Sequence, residues 1–280
     1  MVESLERRIR AEIARSDVPR DVVEKDYAIG YVLAGVCAVP DLNSRLVFKG
    51  GTALRKAYFK DYRFSEDLDF ALERPEAGFD FQATIVRIEQ DLVAQGYEVR
   101  STVNAEAVVN KAFIGFVGAE YDAGLSPHRD KVFRVKIEVD TRPPEGAGLE
   151  VSSVSSFGFQ LRLQHHDLPT LFAGKLAAVI ARRYTKGRDL YDLLWYLQHP
   201  SRVEPNVPML AHALRQTFTS QDAVDAAAWP GVVFERLSRV AWADARADVE
   251  RFLERPAEVE LLQFATFERL LRQRIQDRAK

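Results

Sequence analysis

Apolar residues recur three and four positions apart over residues 3–15 and 20–38, the spacing of helices with one buried face. Residues 41–44 read as a turn. Leu46–Phe48 is short and wholly apolar, as a buried strand is, and Ala53–Phe59 reads as a helix after two adjacent glycines. Leu68–Leu72 reads as a strand. Phe81–Gln95 reads as a helix, with Gly96 placed to end it in the left-handed conformation. Three β-like runs follow, Tyr97–Thr102, Lys111–Val117 and Val132–Val139. In "VFRVKIEVD" the alternation puts Val135, Ile137 and Val139 on one face and Lys136, Glu138 and Asp140 on the other. "TRPPEGAGLE" is a loop by its proline and glycine, and "VSSVSSFGFQLRL" reads as a closing strand with a turn in it. From His166 onward the spacing becomes helical. Asp167 is placed to cap a helix with Pro169 in its first turn, "LFAGKLAAVIARR" and "GRDLYDLLWYLQ" are helical, and Pro200 stops the second.

Strands therefore gather before about residue 165 and helices after it. The pattern predicts an α+β protein with an α/β domain over residues 1–165 and a helical domain over 166–280. The 280 residues are 47% apolar and 29% charged, ample for cores in two modest domains. A net charge of −2 excludes a global positive field, so a polyanionic partner has to use local patches. The single Cys37 excludes a disulfide framework, and no C-x-x-C zinc motif is present. No apolar run reaches the length of a membrane span. "MVESLERRIRAEIARSDV" has neither the cationic start nor the apolar centre of a signal peptide. The expectation is a cytoplasmic protein with no membrane partner.

Two acids stand out in this frame. Asp67 and Asp69 alternate with Leu68, Phe70 and Leu72, so on a strand the carboxylates share the face opposite the apolar one. Like charges so placed repel, and a hard divalent cation such as Mg²⁺, or Mn²⁺ in its place, removes the repulsion. A third acid is expected from "KIEVD". Glu138 is favoured because it lies mid-strand, and Asp140, nearer the strand end, is the alternative. Upstream, Gly50, Gly51 and Thr52 stand where a strand hands over to a helix. Glycines there admit close approach, and the N–H groups of a helix start together with a threonine hydroxyl suit phosphate. The spacing is neither a Walker A loop nor a Rossmann fingerprint.

Each piece has a plainer reading. Gly-Gly before a helix is usually a tight turn, and a lone D-x-D is usually a solvated edge. The glycine and terminal glutamate of an EF-hand are absent. Lys175 on an apolar helix can snorkel outward, although Ala173 and Gly174 beside it suggest a close approach. Asp189 suits the first turn of a helix, and Arg188 and Asp192 are spaced to pair on a surface. "ARRYTKGR" reads as a solvated helix end, with RNA phosphates as the rival reading, and His165-His166 reads as a cap or surface pair. No Ser-His-Asp arrangement and no G-x-S-x-G motif is present.

Taken in order, "EKDYAIGYVL" (24–33), "FKGGTALRK", "RFSEDLDF" and "AGKLAAVIARRYTKGRDLYDLLWYL" resemble the polymerase-β-like nucleotidyltransferase superfamily, and more closely the AbiEii/AbiGii toxin family. The resemblance spans residues 20–198, and the last eighty or so residues are similar only in being helical. It implies a mixed-sheet nucleotidyltransferase domain followed by a helical domain. It also implies metal-dependent transfer of nucleotides from an NTP to the 3′ acceptor end of tRNA, which blocks translation, and a cognate antitoxin. Carried over, Asp67 and Asp69 are metal ligands and catalytic, with Glu138 or Asp140 completing the metal site. Gly50, Gly51 and Thr52 hold phosphate, Ser65 lies beside the nucleotide as a target of inhibitory modification, and Lys175 steadies the triphosphate. Asp189 and Asp192 form the acidic fourth motif, with Asp192 nearer the chemistry. The rival expectations are transfer to protein hydroxyls or a small molecule, and a non-catalytic nucleotide-binding module.

Overall fold

A computed structural model describes residues 11–12, 14–15, 18–59, 61–75, 78–105, 108–118, 121, 126–156, 159–218 and 223–278. The helix expected over residues 3–15 falls largely outside them. The chain divides into two compact units, residues 1–143 with 149–165, and residues 144–148 with 166–280.

The first unit holds a mixed sheet, with seven strands among the described residues, in the order β3-β4-β5-β2-β1-β7-β6. The strands are β1 (Leu46–Lys49), β2 (Asp67–Leu72), β3 (Val99–Asn104), β4 (Val109–Val117), β5 (Val132–Asp140), β6 (Leu149–Ser156) and β7 (Phe159–His166). β2 is central, antiparallel to β1 and parallel to β5, and β1 pairs in parallel with β7. Helices α1 (Arg20–Ala38) and α4 (Phe81–Ala94) pack on the sheet. Leu68, Phe70, Ile137, Val139 and Ile114 are buried with Ile29 and Leu33 of α1 and Ile85 and Ile88 of α4. Each such side chain contributes about 1.5–3 kcal/mol by leaving water. Asp80 caps α4 by accepting from the Ala83 N–H at 2.8 Å, and Gly96, at φ +94°, lies just beyond its end.

Three local expectations change. Residues 41–44 are helical within α2 (Pro40–Arg45), because Pro40 at the first position, Asp41 in the first turn and Arg45 in the last all suit a short helix. The helix after β1 begins at the glycines, as α3 (Gly50–Ala53), and widens into a π-helical turn over Leu54–Tyr58. The closing strand is two strands, β6 and β7. Their alternation is imperfect because β6 leaves Leu149 and Val151 exposed at the sheet edge.

The second unit contains α5 (Leu168–Ala181), α6 (Gly187–Gln198), α7 (Val207–Thr217), α8 (Trp229–Leu237), α9 (Trp242–Val249) and α10 (Phe264–Arg278). Asp167 caps α5 by accepting from the Thr170 N–H at 2.8 Å, and Asn206 caps α7 by accepting from Met209 at 3.1 Å. Phe172 of α5 stacks on Tyr196 of α6 at 4.3 Å, and the fully buried Trp229 meets Phe172 edge-on at 5.4 Å. Loop 144–148 joins this unit through the Gly148 N–H to Thr170 and Asn206 to the Gly146 carbonyl.

Candidate active site

The first cluster is built around the junction of β1 and α3. Gly50 adopts φ +78°, a conformation that side-chain-bearing residues rarely take. A Cβ there would fall 2.2 Å from Asp69 Oδ2, so the glycine lets the carboxylate rest against the backbone at the helix start. A Cβ on Gly51 would fall 2.5 Å from Arg63 Nη2. Thr52 is fully buried, and its hydroxyl donates to the Asp67 carbonyl at 2.5 Å. The glycines are thus accounted for by side chains of the next segment. The Thr52 hydroxyl, expected on phosphate, instead fixes the backbone of Asp67.

The link from α3 to β2 is pinned in the same way. Arg55 donates to the Tyr62 carbonyl and lies 3.7 Å from the centre of the Phe64 ring, and Arg63 donates to the Phe64 carbonyl at 2.9 Å. Ser65 is buried within this link, two residues before Asp67. Lys56 of the π-helical turn pairs with Asp26 of α1 at 2.6 Å, and both side chains are almost fully enclosed. Burial pushes the Lys56 ammonium below its usual range, and Asp26 works against that shift.

On β2, Asp67 and Asp69 are half-buried while Leu68 and Phe70 are buried, so the acids and the apolar residues take opposite faces as the alternation predicts. The registers extend the polar face sideways. Asp67 is opposite Lys136, Asp69 is opposite both Glu138 and Lys49, and Ala71 is opposite Asp140. Lys136 lies 2.7 Å and Lys111 3.4 Å from Glu138 Oε1, while Lys49 pairs with Asp140 at 3.1 Å. Burial pushes the Glu138 carboxyl up, but the hydrogen bonds and charges of Lys136 and Lys111 outweigh it and hold the group below the ordinary glutamate value. Burial also lowers the Lys136 ammonium. The hydrogen bond to Glu138 and the charges of Asp67, Glu138 and Asp69 overturn that effect and leave it raised. Lys25 is lowered by burial, against the pull of Glu66 and Asp67.

Asp67, Asp69 and the two candidates for a third ligand, Glu138 and Asp140, therefore share one face. Among the described residues, no three His, Cys, Asp or Glu side chains come together as a metal site. Asp140 turns to Lys49 and Glu138 to two lysines, which leaves Asp67 and Asp69 as the paired carboxylates. This donor set fits a hard divalent cation of the Mg²⁺ type, which takes one or two protein carboxylates and completes its shell with substrate phosphates and water. The raised Lys136 ammonium is consistent with a face that attracts positive charge.

The second cluster lies in the helical unit. Lys175 does not snorkel. Its ammonium lies 2.7 Å from Asp192 Oδ2 and 3.0 Å from Asp189 Oδ1, and Arg182 pairs with Asp189 at 3.0 Å. Asp192 is fully buried and Asp189 nearly so, so neither is a surface helix charge. Burial raises the Asp189 carboxyl, but Lys175 and then Arg182 bring it below its ordinary value. A Cβ on Gly174 would meet no heavy atom within 4 Å, so packing does not demand that glycine. Packing does demand Gly187, where a Cβ would fall 1.8 Å from the Ala245 carbonyl oxygen. In the basic segment 181–188, Tyr184 is exposed while Arg182 is tied to Asp189.

Several site-shaping residues escape sequence reasoning: Lys49, Lys111 and Lys136 beside the acids, Arg63 over Gly51, and the buried Asp26–Lys56 pair. Lys136 was legible on the polar face of "VFRVKIEVD", but Lys111 reaches Glu138 only through the β4–β5 register, and Lys49 reaches Asp140 only through the fold. His165 and His166 are buried, not at the surface, because β7 runs beside β1, where Phe48 pairs with His165. His165 lies 2.9 Å from the Ser152 hydroxyl.

No curated protein matches the chain. Among solved structures it is similar to MenT4, a nucleotidyltransferase toxin from Mycobacterium tuberculosis H37Rv, at 20% identity and a TM-score of 0.48, with 94% of this chain and 98% of that one covered. The family model described as nucleotidyl transferase AbiEii toxin, type IV TA system, matches residues 31–273. This match begins within the segment expected to lead the motifs and continues beyond residue 198 through the helices that sequence motifs left unassigned. The chain belongs to the AbiEii family of nucleotidyltransferase toxins of type IV toxin–antitoxin systems.

Proposed function

We propose that this toxin transfers a nucleotide from an NTP to the 3′ acceptor end of tRNA with release of pyrophosphate, in the cytoplasm and with a divalent cation, and that a cognate antitoxin restrains it. The observation that carries this reading is the pair Asp67–Asp69, held side by side on β2 with Asp69 seated against Gly50. Asp67 and Asp69 would hold the cation, Mg²⁺ or Mn²⁺, with Glu138 as the neighbouring third carboxylate and Asp140 outside the set. When bound, the cation neutralises triphosphate charge and acidifies the attacking hydroxyl. Gly50 and Gly51 admit Asp69 and Arg63 against the start of α3, where we place the triphosphate, and Thr52 fixes Asp67 from behind. An ionised β2 aspartate accepts the proton of the attacking hydroxyl. We assign Lys175 to the triphosphate and Asp192 to the chemistry, with Asp189 holding Lys175 in place. Positioning and charge neutralisation of this kind are the main levers of phosphoryl-type transfer.

Among the described residues no helix is long and apolar enough to cross a membrane, in keeping with an acceptor in solution. Ser65, buried two residues before Asp67, is the position at which a modification would add negative charge beside the paired acids.

Incubation of the purified chain with α-labelled NTPs and either total tRNA or total cell protein tests the acceptor. Label on tRNA 3′ ends is the expected result. Label confined to protein or to a small molecule assigns a different acceptor. Nucleotide binding with no label anywhere reduces the chain to a binding module.

A further inference from the structure

We propose that the open face of β3, β4 and β5 is a stacking platform for the single-stranded end of the nucleic-acid acceptor, with Phe113 as the residue on which a base lies. This rests on the proposed function and adds to it the surface that receives the acceptor. Phe113 sits mid-strand on β4, two strands in from the sheet edge at β3 counting itself, yet 41% of it is exposed. Its register partners are Thr102 on β3 and Lys136 on β5. It has no ring partner among the described residues, and it is one of the few large apolar side chains there that remain exposed. Lys136 bonds Glu138, which is opposite Asp69, so the ring lies on the same face as the paired aspartates, two strands away. Strands spaced about 4.8 Å apart put that separation near 10 Å, within the reach of a short unpaired end.

The charge around the ring selects the occupant. Lys111, half-exposed and paired with Glu138, flanks it on β4, and Arg134 lies on the same face of β5 with no acidic partner among the described residues. Arg100, paired with Glu98 at 3.1 Å, stands beyond them on β3, opposite Gly115. An exposed aromatic set among cations is the pattern by which proteins hold single strands, the ring stacking on a base and the cations tracking phosphates. An apolar protein partner has no use for cations beside the ring, of which Arg134 has no acidic partner among the described residues.

The test is fluorescence anisotropy with a labelled single-stranded RNA of about eight nucleotides, a length within the usual range for one such surface, measured without NTP or metal. Phe113→Ala is expected to weaken binding by roughly tenfold, and Phe113→Tyr to restore it. Arg134→Ala is expected to flatten the dependence of affinity on salt by about 0.7 in slope, one lost phosphate contact. NTP affinity is expected to be unchanged in Phe113→Ala. Wild-type affinity for RNA in Phe113→Ala overturns the platform. So does lost NTP affinity in that variant, which assigns the ring to the incoming nucleobase. Because the assay needs no turnover, a chain that labels only protein sinks the proposed acceptor separately.

Discussion

The carboxylate of Asp69 lies against the backbone of Gly50, so close that a methyl group at position 50 would fall 2.2 Å from its Oδ2. This contact joins the two sequence motifs that open the active domain. Gly50→Ala is expected to fail twice. A left-handed φ costs a side-chain-bearing residue roughly 1–2 kcal/mol, and the displaced carboxylate loses its place at the reacting centre. Urea unfolding reads the first effect. Nucleotide transfer by the folded fraction reads the second, with a loss of at least about tenfold, since small misplacements of reacting groups cost up to 10²-fold.

The Asp26–Lys56 pair anchors the π-helical turn after the glycines to α1. Asp26→Ala strands a buried ammonium and is expected to destabilise the chain by about 3–5 kcal/mol. Replacing both partners with apolar residues, Asp26→Leu with Lys56→Met, is expected to recover most of that loss. Denaturant titration of the single and double variants checks both statements.

Gly174 separates two explanations of a small residue. Its Cβ position is open, so Gly174→Ala is expected to stabilise α5 by up to about 1 kcal/mol through helix propensity. If the glycine serves the approach of a substrate, the same variant gains thermal stability and loses transfer activity. Unchanged activity would leave it a neutral helix residue.

Acid titration addresses the second cluster. The Asp189 carboxyl faces Lys175, Arg182 and Lys186, with Asp192 as the opposing charge, and is held below its ordinary value of 3.8. A depressed carboxyl contributes stability that is complete above 3.8 and is lost as pH falls through the lower folded value. Asp189→Asn is expected to lower stability at neutral pH and to flatten the acid limb of the stability curve below about pH 4. Unfolding free energies measured across that range check the sign.

Cys37 is expected to be inert. Burial pushes its thiol up to about 11, so almost no thiolate exists at neutral pH. Alkylation by iodoacetamide at pH 8 should be at least about tenfold slower in the native chain than in the denatured one.

Much of this arrangement was legible beforehand, for physical reasons. The period-two alternation around Asp67 and Asp69 reports the faces of β2 directly, because side chains on a strand can only alternate. The cap at Asp167 and the stop at Gly96 are local chemistry and stand where they were expected. Long-range pairing was not legible. Register, which no local pattern reports, brings Lys111 to Glu138, and the fold brings Lys49 to Asp140, so that both candidates for the third acid beside Asp67 and Asp69 are held by lysines. The glycines were visible, but their neighbours were not: Asp69 and Arg63 stand where the Cβ atoms of side-chain-bearing residues would lie. For Asp192, helix spacing left a surface pair with Arg188 and a functional role both open, because spacing does not say which face is covered, and it is fully buried.

The central claim is that the paired aspartates of β2 carry nucleotide transfer. Its most direct measurement is the rate at which wild type and Asp69→Asn move label from an α-labelled NTP to total RNA, at equal folded concentration verified by circular dichroism. The account predicts a fall of at least about 10²-fold with the fold intact, as expected when a group stabilising transition-state charge is removed. Wild-type labelling by Asp69→Asn would contradict it.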